Sequence, residues 1–327
     1  MRFSISGYRC LSLELELEDF LVVVGPNGSG KSSLLEALYL AASRGSATPP
    51  AYQSPLRTVI ASRGMPYSPD VASDAAKLND VEISRRECAP GLDAELNKVQ
   101  QGYALQSFLG FLVKLSGVPV SEASFRELGR AYMCGPGGRS AVSVYVNFIL
   151  DVVQGDRERV ALITPRLATD LDYVSSLIDH VALENPEWYA EILSKFRELK
   201  VRDVRNINGI PHVIADRAIP LSLAPAGVAY ALAISLALGA GKLVFIDEPE
   251  AHMHPALIDV VRDVMELALD RGVKVAIATQ SIEVLDKTAL MGRGAVAQMK
   301  DCKIIDVIEM EEAVKRINEL YEDLRYF

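Results

Sequence analysis

A chain of 327 residues, half of them hydrophobic and a quarter charged, has the composition of a folded globular protein with room for one large or two ordinary domains. A net charge of −9 and a pI near 5.1 exclude a broad basic nucleic-acid footprint, while leaving room for a local basic groove or for DNA handled by a partner. The opening residues contain no apolar stretch of the signal-peptide kind. Cys10, Cys88, Cys134 and Cys302 form no C-x-x-C pair, so neither a zinc site nor a disulfide framework is expected and reduced thiols are the default.

Residues 3–6 and 11–17 alternate apolar and polar and are expected as half-buried strands. Residues 21–24, Leu-Val-Val-Val, form a short β-branched run of the buried-strand type. Directly after it, residues 25–32 read Gly-Pro-Asn-Gly-Ser-Gly-Lys-Ser, a match to G-x-x-x-x-G-K-[ST]. Its glycines free the backbone to wrap an anion, so Asn27, Gly28, Ser29 and Gly30 are candidates for a phosphate cradle. Lys31 reaches outer phosphates as a point charge, Ser32 offers a hydroxyl to Mg²⁺, and Ser33 continues into helically spaced residues. Strand, loop and helix in this order predict a phosphate-binding nucleotide site with Mg²⁺.

Residues 44–80, rich in proline, serine and alanine, are expected as an irregular lid. Residues 81–84 suggest a strand, and 93–153 a mainly helical region interrupted by a glycine turn at 134–139. A strand at 160–163, helices at 168–182 and 187–199, and strands at 201–206 and 211–215 follow. The uncharged stretch 218–241 is long enough for a bilayer, but Pro220, Pro225 and Gly227 break its first half, so a buried helix is expected.

Residues 243–255 read Leu-Val-Phe-Ile-Asp-Glu-Pro-Glu-Ala-His-Met-His-Pro. This is a buried strand ending in two carboxylates: Asp247 suits Mg²⁺, and Glu248 suits orienting or deprotonating an attacking water. His252 and His254 are better read as loop residues than as a metal pair, and Pro255 as a helix start. A helix at 255–270, a strand at 273–278, a helix at 281–290, two short strands and a helix at 310–325 complete the pattern. Strand–helix alternation implies a mainly parallel sheet.

The P-loop, the Asp247-Glu248-Pro249-Glu250 stretch with His252, His254 and Pro255, and the late Thr279-Gln280-Ser281 together resemble the ABC-type ATPases that are not transporters. Those are the SMC, RecF and OLD relatives and their stand-alone AAA_15/AAA_21-like cousins. The resemblance covers roughly 1–43 and 200–300. It implies an α/β P-loop NTPase fold: a mainly parallel sheet flanked by helices, N-terminal antiparallel strands and a helical insertion lobe. It divides a single domain, 1–327, into a nucleotide-binding core (1–43 and 200–327) and an inserted lid and helical lobe (44–199). Residues 7–11, Gly-Tyr-Arg-Cys-Leu, are similar to the family's opening, which puts Arg9 near the nucleotide.

The resemblance also implies a signature loop supplied across a dimer, with Gly227 at the family's spacing ahead of Asp247. Here Pro225 stands where serine belongs, with Ser222 the nearest replacement, and Gln280 stands where the family has histidine. Gln280 can hydrogen-bond a phosphate or water but carries no charge, so slow turnover is expected. The family's glutamine loop has no clear counterpart; Gln100, Gln101 and Gln106 are poor candidates. The resemblance implies a cytoplasmic ATPase without a membrane, forming an ATP-dependent homodimer. DNA, a nuclease or another protein is its candidate partner. The stretch after Gln280 is too short for a nuclease domain, so any nuclease is expected on a separate chain. The alternative is a nucleotide-gated binding module with little hydrolysis of its own.

Overall fold

The computed structural model describes residues 1–43, 75–79, 81–86, 130–134, 141–146 and 160–326. A central sheet collects β3 (Phe20–Val24), β8 (Val160–Ile163), β12 (Leu243–Asp247), β13 (Lys274–Thr279), β14 (Ala295–Lys300) and β15 (Lys303–Glu309) in the order β15-β14-β3-β13-β12-β8. All pairings are parallel except the β14–β15 hairpin at the edge. Every residue of β3 and β8 is buried, as parallel strands covered on both faces require.

A second, antiparallel sheet runs β2 (Leu11–Glu16), β1 (Arg2–Tyr8), β4 (Ala75–Leu78), β5 (Val81–Arg86), β7 (Ala141–Val146), β6 (Arg130–Cys134). Helix α1 (Lys31–Ser43) packs against β8, β12 and β13 of the central sheet and against β1 and β4 of the other. Being covered from both sides explains why Leu34, Leu35, Ala37, Leu38, Tyr39, Leu40 and Ala41 are all buried.

The other α-helices among the described residues are α2 (Leu171–Glu184), α3 (Pro186–Lys195), α4 (Ala226–Ala240), α5 (Pro255–Asp270), α6 (Ile282–Ala289) and α7 (Met310–Glu319). Helix α4 packs on β8 and β12, α5 on β13, and α2 and α3 lie against α4. The Trp188 indole, 1% exposed, donates to the Ser235 carbonyl at 3.1 Å. A Cβ at Gly239 would sit 2.0 Å from that ring, so glycine is required there. The apolar stretch 218–241 is thus the short strand β11 (Ala218–Pro220) followed by buried α4. Among the described residues no helix is long and apolar enough to cross a membrane. Strand β11 forms a small antiparallel sheet with β9 (Asp203–Ile207) and β10 (Ile210–Ile214).

Three expectations change. Residues 130–134 and 141–146, expected as helix, are strands β6 and β7, paired antiparallel with Cys134 opposite Ala141; the glycine turn between them lies outside the described residues. Their cross-strand partners outweigh the local helical spacing. Strand β8 and helices α2 and α3 belong to the core rather than to an inserted lobe. Most of the expected lid, with Cys88 and Gln100, Gln101 and Gln106, lies outside the described residues.

The third change is covalent: Cys10 and Cys302 form a disulfide, their Cα atoms 5.6 Å apart, against the expectation of reduced thiols. Cys10 lies in the β1–β2 turn and Cys302 in the β14–β15 turn, one from each sheet. The bridge fastens the two sheets together.

Candidate nucleotide site

The parallel register aligns three strand ends: Val24 pairs with Thr279, and Ala278 with Asp247. The chain segments leaving β3, β13 and β12 therefore emerge side by side, with the β13 end in the middle. They are the P-loop, Gln280 and Glu248, three segments far apart in sequence.

In the P-loop, Gly25, Gly28 and Gly30 have φ of 153°, 78° and 101°, conformations glycine adopts without strain. A Cβ at Gly25 would lie 2.2 Å from the Met299 carbonyl oxygen, and one at Gly30 3.3 Å from Cys302 Sγ. A Cβ at Gly28 would meet nothing within 4 Å, so that face is open. The Cys302 amide donates to the Ser29 carbonyl at 3.0 Å, so the disulfide-bonded turn is the floor on which the loop rests. Ser29 Oγ is buried without a hydrogen-bond partner among the described residues.

Lys31 folds back onto its own loop, its ammonium donating to the carbonyls of Gly25 (2.8 Å) and Pro26 (3.0 Å). Burial lowers its pKa, opposed by the charges of Asp247, Glu248 and Glu250. Ser32 Oγ donates to Asp247 Oδ1 at 3.0 Å. Arg9 lies in the β1–β2 turn, with Nη1 3.0 Å from Ser33 Oγ and 2.5 Å from Glu36 Oε2 on α1. That holds Arg9 at the start of the P-loop helix, with its charge shared by a buried carboxylate.

Glu248 has φ 49°, unusual for a side chain with a Cβ, and its amide donates to the Ala278 carbonyl at 2.8 Å. This turn takes Glu248 out of strand alternation, so it and Asp247 need not point to opposite faces. The Tyr230 hydroxyl donates to the Asp247 carbonyl and braces the strand end from α4.

Glu250 is the residue the sequence reading missed. Its Oε1 accepts from Thr279 Oγ1 (2.8 Å) and from the Gln280 amide (3.3 Å), while Oε2 is buried and unpartnered among the described residues. Burial raises its pKa, with Glu248 adding to the rise. The third acid of Asp-Glu-Pro-Glu was visible as a motif residue, but its reach across to β13 was not.

His254 caps α5, its Nδ1 accepting from the Ala256 amide at 3.3 Å, and no cluster of three metal-binding side chains occurs among the described residues. Gly227 is buried on the second residue of α4, where a Cβ would lie 2.4 Å from the His252 carbonyl oxygen. What α4 exposes is its tip: Ser222, Leu223, Pro225 and Ala226, with no side chain capping the helix.

The donor set suits Mg²⁺. Neighbouring ligands of an octahedral Mg²⁺ are about 2.9 Å apart for metal–oxygen distances of about 2.05 Å, and Ser32 Oγ and Asp247 Oδ1 are 3.0 Å apart.

Residues 1–87 match a family model described as "AAA ATPase domain", and residues 168–286 one described as "AAA domain, putative AbiEii toxin, Type IV TA system". No curated protein sequence matches the chain. Among solved structures, the SMC head domain from Thermotoga maritima is 12% identical with a TM-score of 0.41, covering 94% of this chain and 97% of that one. The Smc head domain with an extended coiled coil, bound to the C-terminal domain of ScpA derived from Pyrococcus furiosus, is 13% identical with a TM-score of 0.44, covering 98% and 99%. The cbiO1 subunit of the Clostridium perfringens cbiONQ ABC transporter complex is 12% identical with a TM-score of 0.43, covering 98% and 97%. One ATPase model lies on the segment that supplies the P-loop and the other on the segment that supplies Asp247 and Gln280.

Proposed function

We propose that this ATPase hydrolyses ATP slowly and that ATP closes it into a head-to-tail homodimer. The observation that carries the reading is the 3.0 Å approach of Ser32 Oγ to Asp247 Oδ1 beside Glu248. Asn27, Gly28, Ser29, Gly30, Lys31, Ser32 and Ser33 hold the triphosphate, with Arg9 bracing Ser33. Lys31 exchanges the Gly25 and Pro26 carbonyls for an outer phosphate, an exchange of neutral acceptors for charged ones. Ser32 and Asp247 hold Mg²⁺, which supplies charge neutralisation at the phosphates. Glu248 orients or deprotonates the attacking water and the Gln280 side chain helps place it. Because Gln280 is neutral, it lends hydrogen bonds but no positive charge to the transition state, hence slow turnover.

The dimer follows from one P-loop and one α4 tip per chain. The α4 tip, Gly227 included, serves the nucleotide of a second copy. Two features support this: the uncapped helix start, whose amides suit an anion, and Leu223, 75% exposed beside it. Closure with ATP and release on hydrolysis would act on DNA or on a protein partner, such as a separate nuclease chain, in repair, chromosome organisation or defence. A cytoplasmic setting fits an ATP-driven cycle, with Cys10–Cys302 then among the less common intracellular disulfides.

Pro225 in the signature and Gln280 at the switch favour a second reading, a nucleotide-gated module whose partner carries the activity. Phosphate release by the wild type, Lys31→Ala and Glu248→Gln, beside ATP binding, separates the two. Wild-type turnover lost in both variants supports the ATPase cycle. Binding without turnover favours the gated module, and no ATP binding sinks both.

A further inference from the structure

Gln280 combines a pinned backbone with a free side chain. Its amide donates to Glu250 Oε1 at 3.3 Å and its carbonyl accepts from Arg325 Nη1 at 3.0 Å. Its side chain is exposed and has no hydrogen-bond partner among the described residues. Each pin is itself anchored. Glu250 Oε1 also takes the Thr279 hydroxyl, Thr279 Oγ1 accepts the Ser281 amide at 2.9 Å, and Ser281 Oγ accepts from Val284 at the start of α6 at 3.4 Å. Arg325 is held by Asp323, with Nε at 2.8 Å from Oδ1 and Nη2 at 2.6 Å from Oδ2. The tail carrying it is seated by Leu324, which is 2% exposed and whose carbonyl accepts from Gln298 Nε2 at 3.0 Å.

A loop residue at the end of a strand is ordinarily free to swing. Here the amide is bound from the Asp247 side of the sheet and the carbonyl from the C-terminal tail. Rotation of either peptide plane would break a bond to a charged group, and such bonds contribute more than neutral ones. Only the side-chain torsions remain free, as a residue that must place one amide group against a phosphate or water requires.

We infer that Glu250 and Arg325 are positioning residues, a two-sided clamp that holds the Gln280 backbone so that its side chain meets the reacting phosphate or water. The inference rests on the role given to Gln280 under the proposed function. It assigns the tail after α7 a part in the nucleotide site, and it assigns the third acid of Asp-Glu-Pro-Glu a structural partner rather than a metal or a proton.

The test uses the full chain with Glu250→Ala, Glu250→Gln, Arg325→Ala, the double alanine variant and Gln280→Ala, read by kcat, ATP affinity, melting temperature and hydrogen exchange of the 279–281 amides. Glutamine at 250 keeps an acceptor oxygen for both donors and should retain near wild-type turnover. Each alanine variant should lower kcat by about tenfold or more while ATP affinity stays within about twofold, because misplacement affects the transition state rather than the bound phosphates. The double variant should be no slower than Gln280→Ala, since all act through one residue. Wild-type turnover in both alanine variants, with Gln280→Ala impaired, would overturn the clamp and leave the ATPase reading intact. So would Glu250→Gln falling as far as Glu250→Ala at an unchanged melting temperature. If the wild type shows no hydrolysis, the ATPase reading fails separately and hydrogen exchange decides the clamp. Faster exchange of 279–281 in both alanine variants but not in Glu250→Gln supports it, and unchanged exchange overturns it.

Discussion

At the residue scale the site is a set of charges held close together and kept soluble in the protein by mutual partners. Lys31 rests on two carbonyls of its own loop within the field of Asp247, Glu248 and Glu250. Replacing it with alanine removes the one cation on the loop and should weaken ATP binding by roughly tenfold to a hundredfold, the usual worth of a charged hydrogen bond; isothermal titration with ATP checks this. Glu250 yields a pH prediction. Its folded pKa is raised above the ordinary 4.5, chiefly by burial. The native state therefore holds that proton more tightly than the unfolded chain does. The stability this contributes is complete below 4.5 and is lost as pH rises through the folded value. Glu250→Gln escapes the loss, so its melting temperature should gain on the wild type between pH 4 and pH 7, a window about as wide as such shifts span. Equal melting curves at both pH values would contradict the assignment.

At the element scale two features carry predictions. The α4 tip ends in an uncapped helix with Leu223 exposed beside it. Leu223→Asp adds a carboxylate where the proposed dimer has both an apolar contact and a phosphate, and should weaken ATP-dependent association about tenfold or more. Sedimentation of the variant with ATP measures it, and unchanged association would remove the tip from the interface. The Cys10–Cys302 bridge joins the turns of two hairpins, and its Cys302 end supports Ser29 and Gly30. Serine at both positions, or a dithiol reductant, should lower stability by about 2–4 kcal/mol and weaken ATP binding along with it. Identical melting with and without reductant would contradict this role.

The elements also show how far local pattern reaches. Helix α5 runs from Pro255 to Asp270 as its spacing and N-terminal proline predict, and β3 and β12 lie where their apolar runs place them. Residues 130–134 and 141–146 do not follow their local spacing, because a strand's partner can lie anywhere in the chain.

At the scale of the whole molecule, the P-loop, Asp247 and Glu248 were legible because each motif is a short segment whose chemistry is local. The register that aligns Val24, Thr279 and Asp247 was not, nor was the disulfide between turns 292 residues apart in sequence. The Arg325 contact was hidden for the same reason: a lone arginine near the end of the chain carries no local mark of what it binds.

In the proposed cycle ATP, held by Ser32, Asp247 and the P-loop of one copy, is closed over by the α4 tip of another. Light scattering of Glu248→Gln with ATP and Mg²⁺ tests it most directly, because this variant keeps the binding residues and loses the group that ends the bound state. A mass of twice the 35.6 kDa chain is expected with ATP and of a single chain with ADP. ATP bound to a variant that stays at 35.6 kDa would contradict it.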